Sequence, residues 1–112
     1  MGDRANVVVR SAHGDVVLYT HWEGEALPKA VAAALLRGIS RWRDAPYLAR
    51  IIFSEMVIVD VYGTAGYGIF PSVLDGEDKV ILVDCDNATV AVQDGPTMRF
   101  DEFITRPAWR LP

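Results

Sequence analysis

The chain holds one cysteine, Cys85, so no internal disulfide is available to it, and its only histidines are His13 and His21. No paired Cys or His spacing of a zinc site occurs. No Gly-Lys-Ser/Thr stretch of a phosphate-binding loop is present either. The apolar runs are broken by charge well short of the ~18 residues that a membrane-spanning helix needs. No apolar core follows a basic N-terminus, so no secretory signal is expected. The composition predicts a soluble protein of a reducing, cytoplasmic compartment, with no membrane association. Eleven Lys and Arg stand against fifteen Asp and Glu, a net charge of −4, and no basic footprint for nucleic acid exists. The charge is uneven: residues 1–56 carry seven basic and six acidic groups, residues 57–112 four and nine. The acidic half could face a basic partner or simply solvate the surface.

What the sequence does have is apolar residues, 51% of 112, enough for one domain, 1–112, with a core of its own. Leu27, Ala30, Val31, Ala34, Leu35, Gly38, Ile39 and Trp42 follow the i, i+3, i+4, i+7 series of an amphipathic helix. Pro28 suits its first turn, and Arg37, Arg41 and Arg43 complement the dipole at its end. The spacing predicts a helix over 27–42. Around it, Asn6–Arg10 and Asp15–His21 read as strands joined at His13-Gly14. A two-residue loop there sets Val9 opposite Leu18 and Val7 opposite Thr20, with Val7, Val9, Val16 and Leu18 on one face.

Asp44-Ala45-Pro46 reads as a helix start. A helix over about 46–55 running into a strand at 56–62 is expected. The glycine-dense stretch Gly63–Gly68 lacks the dinucleotide fingerprint and the helix that should follow it, so it reads as a turn. Val80–Cys85 and Ala88–Gln93 flank Asp86-Asn87 and predict a hairpin. Its register sets Ile81 opposite Val92, Val83 opposite Val90 and Cys85 opposite Ala88. That face is apolar, and the reverse face is mixed. Met98–Thr105 reads as a last strand, and the tail from Arg106 is expected to be anchored by Trp109. The architecture implied is α+β, a mainly antiparallel sheet with one or two helices packed on one face.

Chemistry is sparse. Cys85 belongs to the core face of the hairpin, and its acidic flanks disfavour the thiolate. His13 and His21 suit turns or caps. Asp60, Asp84 and Asp86 with His21 define one catalytic alternative, a small metal-dependent hydrolase. The other reading draws on His21, Trp22, Arg41, Arg43, Tyr62 and Tyr67. Planar aromatics and Arg forks recognise protein surfaces or small anionic ligands. Trp42 is also read as the edge of the core.

Arg4-Ala5-Asn6-Val7, His21-Trp22-Glu23-Gly24, Gly66-Tyr67-Gly68-Ile69 and Val83-Asp84-Cys85-Asp86 resemble segments of small uncharacterised phage and prophage proteins. In that pattern a Tyr-Pro often follows the His-Trp-acid-Gly turn, whereas Glu25-Ala26-Leu27-Pro28 stands here. The resemblance implies a mobile-element origin and transfers no catalytic residue. The sequence thus predicts a non-catalytic binding protein, a phage or mobile-element accessory, possible anti-defence roles included, that engages a host protein or a small anionic ligand. It needs no cofactor. Val80, Leu82 and Ala91 beside Asp84 on the mixed sheet face predict a homodimer or a larger closed oligomer.

Overall fold

Val7, Val9 and Leu18 fall at the two-residue period that puts strand side chains on one face, and β-branched residues fill the positions around them. In a computed structural model describing residues 2–105, β1 (Ala5–Ser11) pairs with β2 (Gly14–Thr20) so that Val7 faces Leu18 and Val9 faces Val16. The connecting loop is Ala12-His13, with Gly14 at φ +121°. The pairing expected from a His13-Gly14 loop is therefore displaced by two residues. Because the displacement is even, the same side chains share that face, where Val7, Val9 and Leu18 are buried and Val16 at the hairpin end is 37% exposed.

Helix α1 (Leu27–Arg37) stops five residues before the expected end at Trp42. Gly38 lies where α1 crosses α2 (Ala45–Met56): a Cβ there would stand 3.2 Å from the Ile51 side chain. A single 3₁₀ turn, Ile39–Arg41, then redirects the chain and leaves Ile39 exposed. The redirection swings Trp42 back, and its Nε1–H donates to the Leu35 carbonyl at 2.8 Å. That carbonyl is one of the orphan acceptors at the helix end. The Trp42 ring meets Phe100 edge-on, centroids 5.3 Å apart. Arg37 and Glu55 form an ion pair that joins the two helices.

After α2 the expected strand at 56–62 does not form. Met56 ends the helix, and residues 57–66 are turns whose apolar side chains Ile58, Val59 and Val61 stand exposed. The β2 edge is taken instead by β3 (Tyr67–Phe70), antiparallel, with Leu18 opposite Ile69. Strand β4 (Lys79–Asp84) pairs with β1 in parallel and with β5 (Thr89–Val92) antiparallel. Ile81 faces Val92 and Val83 faces Val90, the register the sequence predicts. The turn is longer than two residues, because the ladder stops at Asp84–Thr89 and Ala88 takes the positive φ of 54°.

Met98–Thr105 is not one strand. Thr97–Arg99 forms the short edge β6, and Phe100–Ile104 forms α3. Glu102 accepts from the Arg99 N–H at 3.0 Å, and Phe100 and Phe103 are buried one turn apart. The proposed anchor Trp109 lies outside the described residues. The sheet order is β3-β2-β1-β4-β5-β6. The fold is α+β, a mainly antiparallel sheet, with three helices packed on one face.

The connection from β3 to β4 crosses the other face. Both strands run in the direction of β1, so residues 71–78 must return the length of the sheet. In doing so they bury Asn6, Val8 and Val17, residues of a face that would otherwise meet water. Arg4 holds the crossover through Asp75 at 3.1 Å and Asp78 at 3.2 Å. Beneath it lies a cavity of about 290 Å³ bordered by Asn6, Tyr19, Phe70 and Leu74. Val80, Leu82 and Ala91 lie half-buried on this face.

Candidate functional site

The turn His21-Trp22-Glu23-Gly24 is held at the end of β2 by backbone geometry and by Asp3. Asp3 N–H donates to the His21 carbonyl at 2.8 Å, and Gly24 N–H to the Asp3 carbonyl at 2.9 Å. The Asp3 carboxylate accepts from Glu25 N–H at 2.7 Å and from Lys79 Nζ at 3.1 Å. The Lys79 bond, then the Glu25 N–H, holds its pKa below the usual carboxylate value. His21 Nδ1 lies 2.8 Å from the Tyr19 hydroxyl. The imidazole is thus tied to a neighbouring strand residue and packs edge-on against Trp22, centroids 5.2 Å apart.

Trp22 rests on Gly66. A Cβ at Gly66 would fall 2.1 Å from the indole, and φ there is +93°. Gly66 is thereby explained: only glycine allows both the backbone angle and the close ring. Next to it Tyr67 bonds to the buried Thr20, and burial, then Glu23 and Asp60, pushes its phenol above the ordinary value. Tyr67, Thr20, Ala26, Leu27, Met56 and Val59 border a pocket of about 160 Å³. Val59 on its border is 86% exposed, Trp22 on Gly66 is 52% exposed, and Tyr62 in the loop before Gly66 is 97% exposed.

Of the six residues singled out, the structure therefore brings together His21, Trp22 and Tyr67, with Tyr62 on the adjoining loop. Arg41 and Arg43 lie at the other end of the sheet. Arg43 Nη1 donates to the Asp86 carbonyl at 3.2 Å, in the turn that follows β4. The two ends are separated by the length of the seven-residue β1, roughly 20 Å at ~3.3 Å per residue. Arg41 pairs with Asp44 at 3.6 Å and stacks over the Tyr47 ring, 4.4 Å from its centroid.

The acidic residues are divided in the same way. Asp60 is near Tyr67, while Asp84 and Asp86 sit in the turn between β4 and β5. Asp84 Oδ1 accepts from the N–H groups of Asp86 and Asn87, both at 3.1 Å, and Oδ2 from Asn87 Nδ2 at 2.8 Å. The Asn87 side chain foremost, aided by these backbone N–H groups and Arg10, lowers its pKa. This carboxylate closes a turn. Among the described residues no three His, Cys, Asp or Glu side chains gather where one cation could be held. Cys85 is buried, and its thiol is pushed up to about 11 by burial and then by Asp84, Asp86 and Asp44.

The residues that sequence reasoning missed are Ile58, Val59 and Val61. A run of β-branched residues was their signal, and it was assigned to a strand. The sheet offers that run no edge, so Ile58 and Val59 reach solvent at the pocket and Val61 further along the loop. No helix among the described residues is long and apolar enough to cross a membrane. Comparison with family models, curated proteins and solved structures finds no match.

Proposed function

We propose that the protein is a non-catalytic binding domain that captures another protein on the apolar rim formed by Trp22, Ile58, Val59, Val61, Tyr62 and the Tyr67 pocket. The observation carrying this reading is the exposure of Ile58 and Val59 on the border of a preformed pocket, with Val61 and Tyr62 exposed in the same loop and Trp22 seated on its Gly66. Large apolar patches beside a pocket are typical of association surfaces, where buried aromatics supply most of the energy. A pocket of about 160 Å³ has room for one apolar side chain of a partner. Burying such a side chain contributes about 1.5–3 kcal/mol. The small anionic ligand is the weaker alternative, because Arg41 and Arg43 lie far from the rim and already have partners. The resemblance carried by His21-Trp22-Glu23-Gly24 makes a host protein the partner of choice, and the domain an accessory of a phage or other mobile element.

Immobilised wild type, Val59→Asp, Trp22→Ala and Leu36→Asp variants test this against host lysate. Leu36 is exposed on α1 away from the pocket. A specific partner should bind wild type and Leu36→Asp, and be lost at least tenfold with the other two at unchanged melting temperature. Equal retention by all four proteins, or a melting loss that parallels the binding loss, rejects the rim as the binding surface.

A further inference from the structure

Among the described residues no strand pairs with the outer edge of β3, and its hydrogen-bonding pattern is self-complementary. His21 N–H donates to the Gly66 carbonyl at 2.8 Å, so these two residues form a hydrogen-bonded pair of the β2–β3 ladder. Antiparallel ladders alternate bonded and non-bonded pairs. Gly68 and Phe70 therefore bond inward to Tyr19 and Val17, and Tyr67 and Ile69 turn their N–H and C=O groups outward. Among the described residues no backbone or side-chain group meets those four outward groups. The strand carries no charge and no proline, devices that protect exposed edges elsewhere. The opposite edge differs: β6 follows Pro96 and ends in Arg99.

We infer that two copies of this chain pair through β3, antiparallel and about a two-fold axis at Gly68, giving one continuous sheet. Three two-fold registers would use the outward groups. Ile69 against its own copy sets Tyr67 opposite Pro71, which has no N–H to donate. Tyr67 against its own copy sets Ile69 opposite Ala65, outside the strand. Tyr67 against Ile69 of the second copy, and the reverse, makes all four hydrogen bonds. On the helix-bearing face this register sets an aromatic ring against a β-branched side chain, a favourable cross-strand pair. On the other face Phe70 lies diagonal to the second Gly68, whose Cβ direction is open space. An aromatic covering a strand glycine is a stabilising arrangement. Isologous pairing is also the commonest form of self-association. The sequence places the dimer contact at Val80, Leu82 and Ala91; this pairing moves it to the sheet edge. The pairing shares Tyr67 with the proposed binding rim but rests on outward backbone groups that the rim does not use, and the dimer would carry two rims on the same face.

Sedimentation equilibrium and mild oxidation test it. Wild type should sediment at twice the 12.4 kDa chain mass. Ile69→Pro, which removes an outward N–H that the fold does not use, should sediment as a monomer with its circular dichroism retained. Gly68→Cys should cross-link two copies, because a non-hydrogen-bonded pair sets Cα atoms about 4.5 Å apart, within disulfide reach. Thr97→Cys on the β6 edge should not cross-link. A wild type that remains monomeric overturns the inference. So does a dimer that persists in Ile69→Pro, or cross-linking through Thr97→Cys as fast as through Gly68→Cys. If Ile69→Pro fails to fold, the two cysteine variants decide alone.

Discussion

Cys85 shows how one residue senses both the core and its neighbours. Its side chain points with Val83 and Val90 toward the helices, while Asp84 and Asp86 bracket it in the chain. Burial and negative charge both disfavour the thiolate, so the folded thiol titrates at about 11, above its ordinary value of 9.0. The sign follows from proton linkage. Between these two values the unfolded chain releases the proton that the folded chain keeps, so raising the pH favours unfolding. The stability is full below pH 9 and is lost progressively toward pH 11, by an amount on the order of 2 kcal/mol. Urea denaturation should show this alkaline loss in wild type and a smaller one in Cys85→Ala, measured against each variant's own neutral value. The same burial predicts slow reaction with thiol reagents under native conditions. Identical alkaline profiles would mean that Tyr67, whose phenol is also raised, carries the effect.

At the scale of elements, what could be read was periodicity and what could not was competition. The β4–β5 register followed from centring the hairpin on Asp86-Asn87, and the alternation of Ile81, Val83, Val90 and Val92 then fixed which side chains share a face. The first hairpin was two residues out of register, yet its core face was right for the same reason. The stretch 56–62 misled because β-branched residues favour a strand only when a sheet edge receives them. Here β3 occupies that edge. Phe100–Ile104 was legible in principle: Asp101 and Glu102 in a first turn, with Phe100 and Phe103 three apart, is a helix signature. The binding rim was half legible, in the aromatic residues, and so was the separation of Arg41 and Arg43 from Trp22, which precedes the helix whose far end they follow. The parallel pairing of β1 with β4 has no local signal at all. The register itself is tested by Val90→Asp, which buries a charge at a site with no solvent exposure and should unfold the protein. Thr89→Asp should cost less than about 1 kcal/mol. It lies between Asp84 on β4 and Arg99 on β6, so repulsion from one is offset by attraction to the other. Comparable loss of circular dichroism in both variants would refute the assigned faces.

Across the whole molecule, the two faces of the sheet are covered by unlike means. Helices pack one face with a continuous apolar core, while the other depends on a crossover of eight residues with no secondary structure. That crossover has little apolar surface to hold it, since Leu74 is mostly exposed. Its anchor is electrostatic. Arg4 bridges Asp75 and Asp78, and the Asp78 side chain is only 7% exposed while that of Arg4 is 44% exposed. An exposed pair contributes little, but a buried carboxylate that loses its partner is costly. Arg4→Ala should therefore destabilise the protein by about 1–2 kcal/mol, a buried-pair loss reduced by the exposure of the guanidinium. The double change Arg4→Ala with Asp78→Asn should recover part of that loss, because the orphaned charge is removed with its partner. The crossover should also open before the core does. Amides over residues 72–78 should exchange faster in Arg4→Ala, while those of β1 and β4 keep their protection. A double variant no more stable than Arg4→Ala, with unchanged exchange in the crossover, would show that this face is held by packing on Val17 and Tyr19 and that the Arg4 bridge is incidental.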